Sequence, residues 1–386
     1  MRDAIMVTGW DWKMYNAPER VALALAQLGA KVLYCESTIS LFRNREPAQV
    51  KEVANNIYVV RPRHWARRLD YFAPTQKLQA KELARQVGGF ASTLGLRDPL
   101  FFYCNQGWQL PFCAEMKKEF FSVMLRIDYL EQFCSSHLDE ISDRCVELSD
   151  MTLVMPRSVF HKLKSKFGSK VKLIPQAVDF SLLNPDRATL ARGAAAMASV
   201  PRPRLGYLGV PEGRLNHRLI SSLLQAHPEW HLVTMDSRPA VLPNAHALPR
   251  VSPQEMAGYH YGLDVGLLPY DCHNEQWLHC VPLKLFEYFA LGIPVVSVPL
   301  INLWEYEDLI YFGDTAEELA AAIQAALNEP PDSPKRQKRM EVAKSHSLER
   351  LAQVLCETLP LDREDGDCSD QSAVLCPTGA RVRWRE

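Results

Sequence analysis

Two doubly wound α/β domains are predicted for this 386-residue chain on three observations. Short apolar runs alternate with helical stretches along most of its length, the pattern of parallel sheets covered by helices. The length suits two domains of ordinary size at roughly 150 residues each. A composition of 47% hydrophobic and 23% charged residues is globular and supplies a core for each half.

In chain order, residues 4–7 read as a first strand. A helix follows over 17–28, with Pro18 suited to its first turn and Gly29 at its end. Strands come next at 31–35, 57–60, 100–103, 122–127, 153–155 and 172–174. At 186–203 the composition shifts to Ala, Arg and Pro, which we read as a linker between a first domain, 1–185, and a second, 204–345. The second domain opens with a strand at 204–207 and a turn from Gly209 to Gly213. A helix at 217–226, a strand at 231–234, a helix at 253–259 and a strand at 265–268 continue it. A helix at 282–290, a strand at 294–297 and a helix at 317–328 complete it. A helix over 346–361 is able to cross back to the first domain, and the polar segment 362–386 reads as a flexible tail. Ligands of such sheets sit at the carboxyl ends of strands, here near the cleft between domains.

Bulk properties disfavour several classes. Forty-four basic residues stand against 45 acidic ones, so nothing points to nucleic acid as a partner. The longest apolar runs, such as 293–300, fall far short of the ~20 residues that span a bilayer. The N-terminus runs directly into the first strand without an apolar leader. Ten scattered cysteines without a C-x-x-C pair are expected as reduced thiols of a cytoplasmic protein, and no zinc-ligand spacing occurs. No glycine-rich fingerprint with an acidic residue ~20 positions on follows either first strand, which disfavours an NAD oxidoreductase.

The densest signal is Leu268-Pro-Tyr-Asp followed by Val281-Pro-Leu-Lys-Leu-Phe-Glu-Tyr-Phe-Ala-Leu-Gly-Ile-Pro-Val-Val. A helix starting at Pro282 presents free N–H groups, and the positive end of its dipole favours a diphosphate. Lys284 in that first turn is unfavourable to the helix itself, which makes sense beside a bound anion. Glu287 lies one turn on, on the same face, and a carboxylate can accept two hydrogen bonds from the vicinal diol of a ribose.

This stretch resembles the donor-site signature of the GT-B glycosyltransferases, particularly bacterial family 4/1-like members reading P-L-K-[LF]-[YF]-E-Y-[LF]-A-x-G-x-P-V-V. The resemblance implies two Rossmann-like domains facing across a cleft. It implies transfer of a sugar from a nucleotide diphosphate sugar to a hydroxyl of a saccharide, lipid-linked or small-molecule acceptor. By resemblance Lys284 contacts the donor phosphate or sugar and Glu287 the ribose, with Pro282 and Leu283 beside them. Tyr270 is placed near the nucleotide, and Gly209 and Arg214 face the diphosphate. One departure stands at His279, where many members carry a second Glu. It either faces the sugar or is a structural loop residue, and the donor sugar and stereochemical course stay open.

In the first half, Gly9-Trp-Asp-Trp-Lys follows the first strand. Trp10, Asp11 and Trp12 are acceptor-side candidates because sugar faces stack on indoles, with core packing as the alternative. Similar enzymes continue into an R-P-x-x-L-A-type helix, and here the chain reads Ala17-Pro-Glu-Arg-Val-Ala. Asp128, ending another strand, resembles the base of some inverting members, and capping of the next turn is its other reading. The single Asp-x-Asp triplet, Asp365-Gly-Asp367, lies in the tail and not at a strand end, so neither a metal nor a cofactor besides the co-substrate is expected. The basic stretches 61–68 and 157–170 suit either anionic headgroups at an inner membrane face or a solvated surface. The competing functions are a sugar-nucleotide epimerase on the same scaffold and a non-catalytic relative that only binds the donor.

Overall fold

A computed structural model of the chain describes residues 1–361 apart from 13–15, 41–47, 65–72, 105–109, 128–137, 185, 210–212 and 237–239. Asp128 and the segment 362–386, with Asp365-Gly-Asp367, lie outside the described residues.

Among the described residues the first half contains β1 (Ala4–Val7), β2 (Val32–Cys35), β3 (Ile39–Ser40), β4 (Lys51–Ala54), β5 (Ile57–Val60) and β6 (Arg63–His64). It continues with β7 (Leu100–Cys104), β8 (Ser122–Arg126), β9 (Met151–Val154) and β10 (Val171–Leu173). Eight of them form one sheet in the order β10-β9-β8-β7-β1-β2-β5-β4, while β3 pairs with β6 alone. Every pairing in the large sheet is parallel except β4 with β5. Residues along β1 and β2 alternate between two apolar layers. Ala4, Met6, Val32 and Tyr34 enter one, and Ile5, Val7, Leu33 and Cys35 the other. A sheet buried on both faces is why these strands read as continuous apolar runs.

The second half contains β11 (Arg204–Tyr207), β12 (His231–Met235), β13 (Ala245–Leu248), β14 (Val265–Leu268), β15 (Val295–Ser297) and β16 (Ile310–Phe312). They form a parallel sheet in the order β13-β12-β11-β14-β15-β16. The chain builds outward from β11 on one side and from β14 on the other, so the order reverses between them. Such a switch point leaves a crevice at the carboxyl ends of its two strands. The corresponding reversal in the first half lies between β1 and β7.

The stretch 186–203 is not a bare connection. Asp186 caps a helix, Arg187–Ala196, by accepting from the Thr189 N–H at 2.7 Å. That helix crosses the helix Pro253–His260 so closely that a Cβ on Gly193 would collide with the Gly258 backbone. Met197 and Val200 enter the second half's core. The helix Leu348–Thr358 buries Leu348, Leu351, Ala352 and Leu355 against the first half, beside the helix Ala17–Gln27. Strands β4, β13 and β16 carry no clear apolar alternation. They form as outer strands because a neighbouring strand offers them a free edge.

The chain therefore passes between halves twice, and the two passages bond to each other. The Val178 N–H donates to the His346 carbonyl at 2.7 Å, and the Leu348 N–H to the Val178 carbonyl at 3.2 Å. The His346 ring stacks on Phe286, with centroids 3.8 Å apart. Its Nδ1 donates to the Gln176 carbonyl at 3.0 Å, which leaves Nε2 to accept from the Tyr306 hydroxyl at 3.1 Å. Burial pushes its pKa down from 6.5 to about 4, with the Gln176 contact opposing.

A folded pKa below the unfolded one means that the unfolded chain takes up the proton first as the solution is acidified. Stability is intact above pH 6.5 and is lost as the pH falls toward 4. Going from pH 7 to pH 5 should cost about 2 kcal/mol through His346 alone. Urea unfolding of wild type and His346→Gln at both pH values checks this, the variant losing about that much less.

Candidate functional site

The crevice at the β11/β14 switch point opens into a cavity of about 690 Å³. This is a volume typical of small-molecule sites. Its second-half wall carries Tyr207, Gly209, Arg214, Leu283, Lys284 and Glu287. These residues come from the end of β11, the loop after it and the helix Leu283–Ala290 after β14, so the topology assembles them.

Pro282 is the N-cap of that helix, at φ −64° and ψ 124°, and not its first residue as expected. Its extended ψ is the geometry of a cap, and the helix begins one residue later. A proline side chain cannot cap, and no side-chain cap is present. The first N–H groups at Leu283 and Lys284 are therefore left for a ligand or water. The Lys284 ammonium lies 5.0 Å from the Tyr207 ring centre, a cation–π contact. A Cβ on Gly209 would collide with the Lys284 Cε and Nζ, so glycine is what lets the lysine lie there. Arg214 stacks its guanidinium 5.2 Å over Trp277, whose indole N–H donates to the Gly213 carbonyl at 2.8 Å. Tyr270 is buried one layer behind the wall, edge-on to Tyr207 at 6.0 Å, and burial drives its phenol pKa well up. It supports Tyr207, which itself lines the cavity.

Glu287 is one-fifth exposed, and its carboxylate lies 3.7 Å from Nε2 of the fully buried His260. Burial pushes the His260 pKa down while the Glu287 charge opposes. A neutral His260 leaves Glu287 uncompensated and able to accept from a diol. A second helix start, Ser252 and Pro253, lines the same cavity together with Arg250. Ser252 there bonds back to Glu255, its hydroxyl at 2.9 Å.

His279 is not among the lining residues. Its Nδ1 bonds the Ser158 hydroxyl of the first half at 2.9 Å, and its carbonyl accepts from Asn302 Nδ2 at 2.7 Å. It stands in a polar seam between the halves, where Asn302 Oδ1 also accepts the Ser158 N–H at 2.9 Å. Trp10, Asp11 and Trp12 form a separate group at the carboxyl end of β1. Trp12 packs edge-on against Tyr34 at 5.2 Å, and both indoles are partly buried against the first-half core. Asp11 pairs with Arg61 at 2.8 Å, and Arg61 also reaches Glu36 at 3.0 Å. The first basic stretch thus has acidic partners at Arg61. In the second, Arg157 pairs with Glu305 across the seam at 2.9 Å and Lys166 with Asp143.

Among the cavity residues that the sequence pattern did not reveal are the polar or charged Arg20, Asp179, Tyr207, Arg250, Ser252 and His260. Arg20 had a usable signal. Like Lys284, it is a cation in the first turn of a helix, where the dipole disfavours it.

Comparison with known proteins agrees with this architecture. Sucrose-phosphate synthase from Thermosynechococcus elongatus superposes with a TM-score of 0.68 at 14% identity, over 92% of this chain and 98% of that one. Anabaena HepE in complex with UDP and glucose gives 0.67 at 13%, over 92% and 99%. An E. coli structure described as trehalose-6-phosphate bound with UDP-2-fluoro glucose gives 0.64 at 13%, over 92% and 98%. The fold is that of the GT-B glycosyltransferases.

No protein-family model matches the chain. It is similar to the putative teichuronic acid biosynthesis glycosyltransferase TuaH of Bacillus subtilis (strain 168), 22% identical over 282 residues. The match takes in 66% of this chain and 65% of that relative, just under two thirds of its length. No helix among the described residues is long and apolar enough to cross a membrane.

Gly209→Ala tests the wall. The methyl displaces the flexible end of Lys284 and meets the Tyr207 ring at 3.3 Å, a contact relieved by a few tenths of an ångström, so the unfolding free energy should stay within about 1 kcal/mol of wild type. Affinity for a nucleoside diphosphate should drop roughly tenfold, about 1.4 kcal/mol, by calorimetry.

Proposed function

We propose that the chain is a glycosyltransferase that moves a sugar from a nucleotide diphosphate sugar to a hydroxyl of a saccharide, lipid-linked or small-molecule acceptor. The observation that carries this reading is the convergence of Lys284, Arg214, an uncapped helix start and the Glu287 carboxylate on one cavity in the interdomain cleft. The likeness to TuaH supports it, as do the UDP and UDP-2-fluoro glucose described with two structures of the same fold.

On this reading Glu287 holds the ribose, while Lys284, Arg214 and the helix start hold the diphosphate. In the reaction the acceptor oxygen bonds to the anomeric carbon as the bond from that carbon to phosphate breaks. The negative charge then gathers on the departing nucleoside diphosphate. Fixed cations and N–H dipoles stabilise that charge without reorganising. Closure of the cleft excludes water that would otherwise hydrolyse the donor. In an inverting reaction Asp128, two residues beyond β8, is the proposed base for the acceptor proton. We place the work in the cytoplasm, with the inner membrane face as the site of any lipid-linked acceptor. Neither a metal nor a further cofactor is invoked.

Lys284→Ala should lower transfer by two orders of magnitude or more with the fold retained, since it removes charge stabilisation from the leaving group. Glu287→Gln should chiefly raise the donor KM. Both are read as product formation from a panel of nucleotide sugars. Turnover of donor to its epimer without acceptor, or full activity in Lys284→Ala, would sink the proposal.

A further inference from the structure

The cavity that Lys284 lines also contains a group from the first half. Arg20 sits in the first turn of the helix Ala17–Gln27, which Asn16 caps by accepting the Glu19 N–H at 3.2 Å. Arg20 is only 3% exposed and lines the same cavity as Gly209, Arg214, Lys284 and Glu287. Its Nε and Nη1 are buried without a hydrogen-bond partner among the described residues. Asp179 and Glu287 line the cavity as well, yet no ion pair joins either to Arg20. Asp179 spends Oδ1 on the N–H and hydroxyl of Ser181.

A guanidinium with buried, unbonded donors costs free energy in a folded protein, and a charged one costs more than a neutral group. Its planar fork matches the oxygens of a phosphate better than any other side chain does. The charge count points the same way. Arg20, Arg214, Arg250 and Lys284 face Asp179 and Glu287, an excess of two positive charges among the described lining residues, which matches a diphosphate.

We propose that Arg20 is a phosphate ligand contributed by the first half, binding a phosphoryl oxygen of the substrate in the cavity that Lys284 lines. Resting on the glycosyltransferase reading, this assigns the site a residue from the other half. A phosphate held by both Arg20 and the Lys284 wall links the two halves directly. Ligand binding thereby stabilises the closed cleft and gives the helix Ala17–Gln27 a part in recognition. The phosphate belongs either to the donor diphosphate or to a phosphorylated acceptor.

Calorimetric titration of the full-length wild type, Arg20→Gln and Arg20→Lys decides the matter. The probes are pyrophosphate, glucose 6-phosphate, the best binder among UDP, GDP, ADP and dTDP, and the nucleoside of that binder. The expected result is a loss of at least tenfold in Arg20→Gln for the nucleoside diphosphate and pyrophosphate, partly restored in Arg20→Lys, with the nucleoside unaffected. A loss confined to glucose 6-phosphate assigns the phosphate to the acceptor. The ligand-free Arg20→Gln protein should melt no lower than wild type, because an unbonded buried charge has been removed. Unchanged affinity for every phosphorylated probe, or an equal loss for the nucleoside, overturns the role of Arg20 and leaves the glycosyltransferase reading standing. If wild type binds none of the four nucleotides while Arg20→Gln weakens pyrophosphate or glucose 6-phosphate, the glycosyltransferase reading fails and Arg20 stands. Failure of wild type to bind any probe removes both.

Discussion

Lys284 occupies a place that its own helix disfavours, in a first turn beside N–H groups that carry the positive end of the dipole. Its side chain is held there by the face of Tyr207 and by the absence of a Cβ on Gly209. Much of the second half serves that arrangement. Gly206 and Gly266 lie on adjacent strands, where a Cβ would collide with Leu263 and with the Tyr288 ring. The Tyr288 hydroxyl donates to the Gly206 carbonyl at 2.8 Å and accepts the Leu208 N–H at 3.3 Å. The helix bearing Lys284 is thus tied to the turn bearing Gly209 through the middle of the sheet. Tyr270, behind Tyr207, fixes the ring from the other side.

The two halves meet through contacts of different character. The paired passages near Val178 and His346 are buried and bonded backbone to backbone, with His346 stacked on Phe286. The seam at Ser158, His279 and Asn302 is polar, and the Arg157–Glu305 pair beside it is about half exposed. Exposed ion pairs contribute at most about 1 kcal/mol, so the Arg157–Glu305 pair adds little to the seam beside the hydrogen bonds of the buried Asn302. On the proposed function, a buried bonded passage beside a polar seam is the kind of arrangement through which a cleft enzyme admits and releases substrates. His279, at a position where many similar enzymes carry an acid, bonds into this seam, which ties the departure from the motif to interdomain contact.

Arg20 adds an electrostatic reason for the halves to come together. Cations on both walls of the cleft repel each other when it is empty, and an anion between them turns that repulsion into attraction. Binding and closure become one equilibrium, in which the ligand stabilises the closed state by its differential affinity. The acidic groups at the first half's strand ends, Asp11 and Glu36, are held by Arg61 outside this cavity. With those acids held elsewhere, the described lining of the cavity keeps its net excess of two positive charges.

The alternation of apolar runs and helical stretches by itself determined the two doubly wound sheets, because strands buried on both faces must be apolar throughout. Lys284 and Glu287 were legible for a similar reason. They share one short helix, so three residues of spacing decide their common face. Strands β4, β13 and β16 were not legible, since an outer strand forms through the edge offered to it and not through its own pattern. Tertiary structure alone brought Arg20 across the cleft to Lys284, 264 positions away in sequence, and withdrew His279 into the seam with Ser158, 121 positions away. Local periodicity carries no record of such distances. They follow from how two separately folded sheets come to rest against each other.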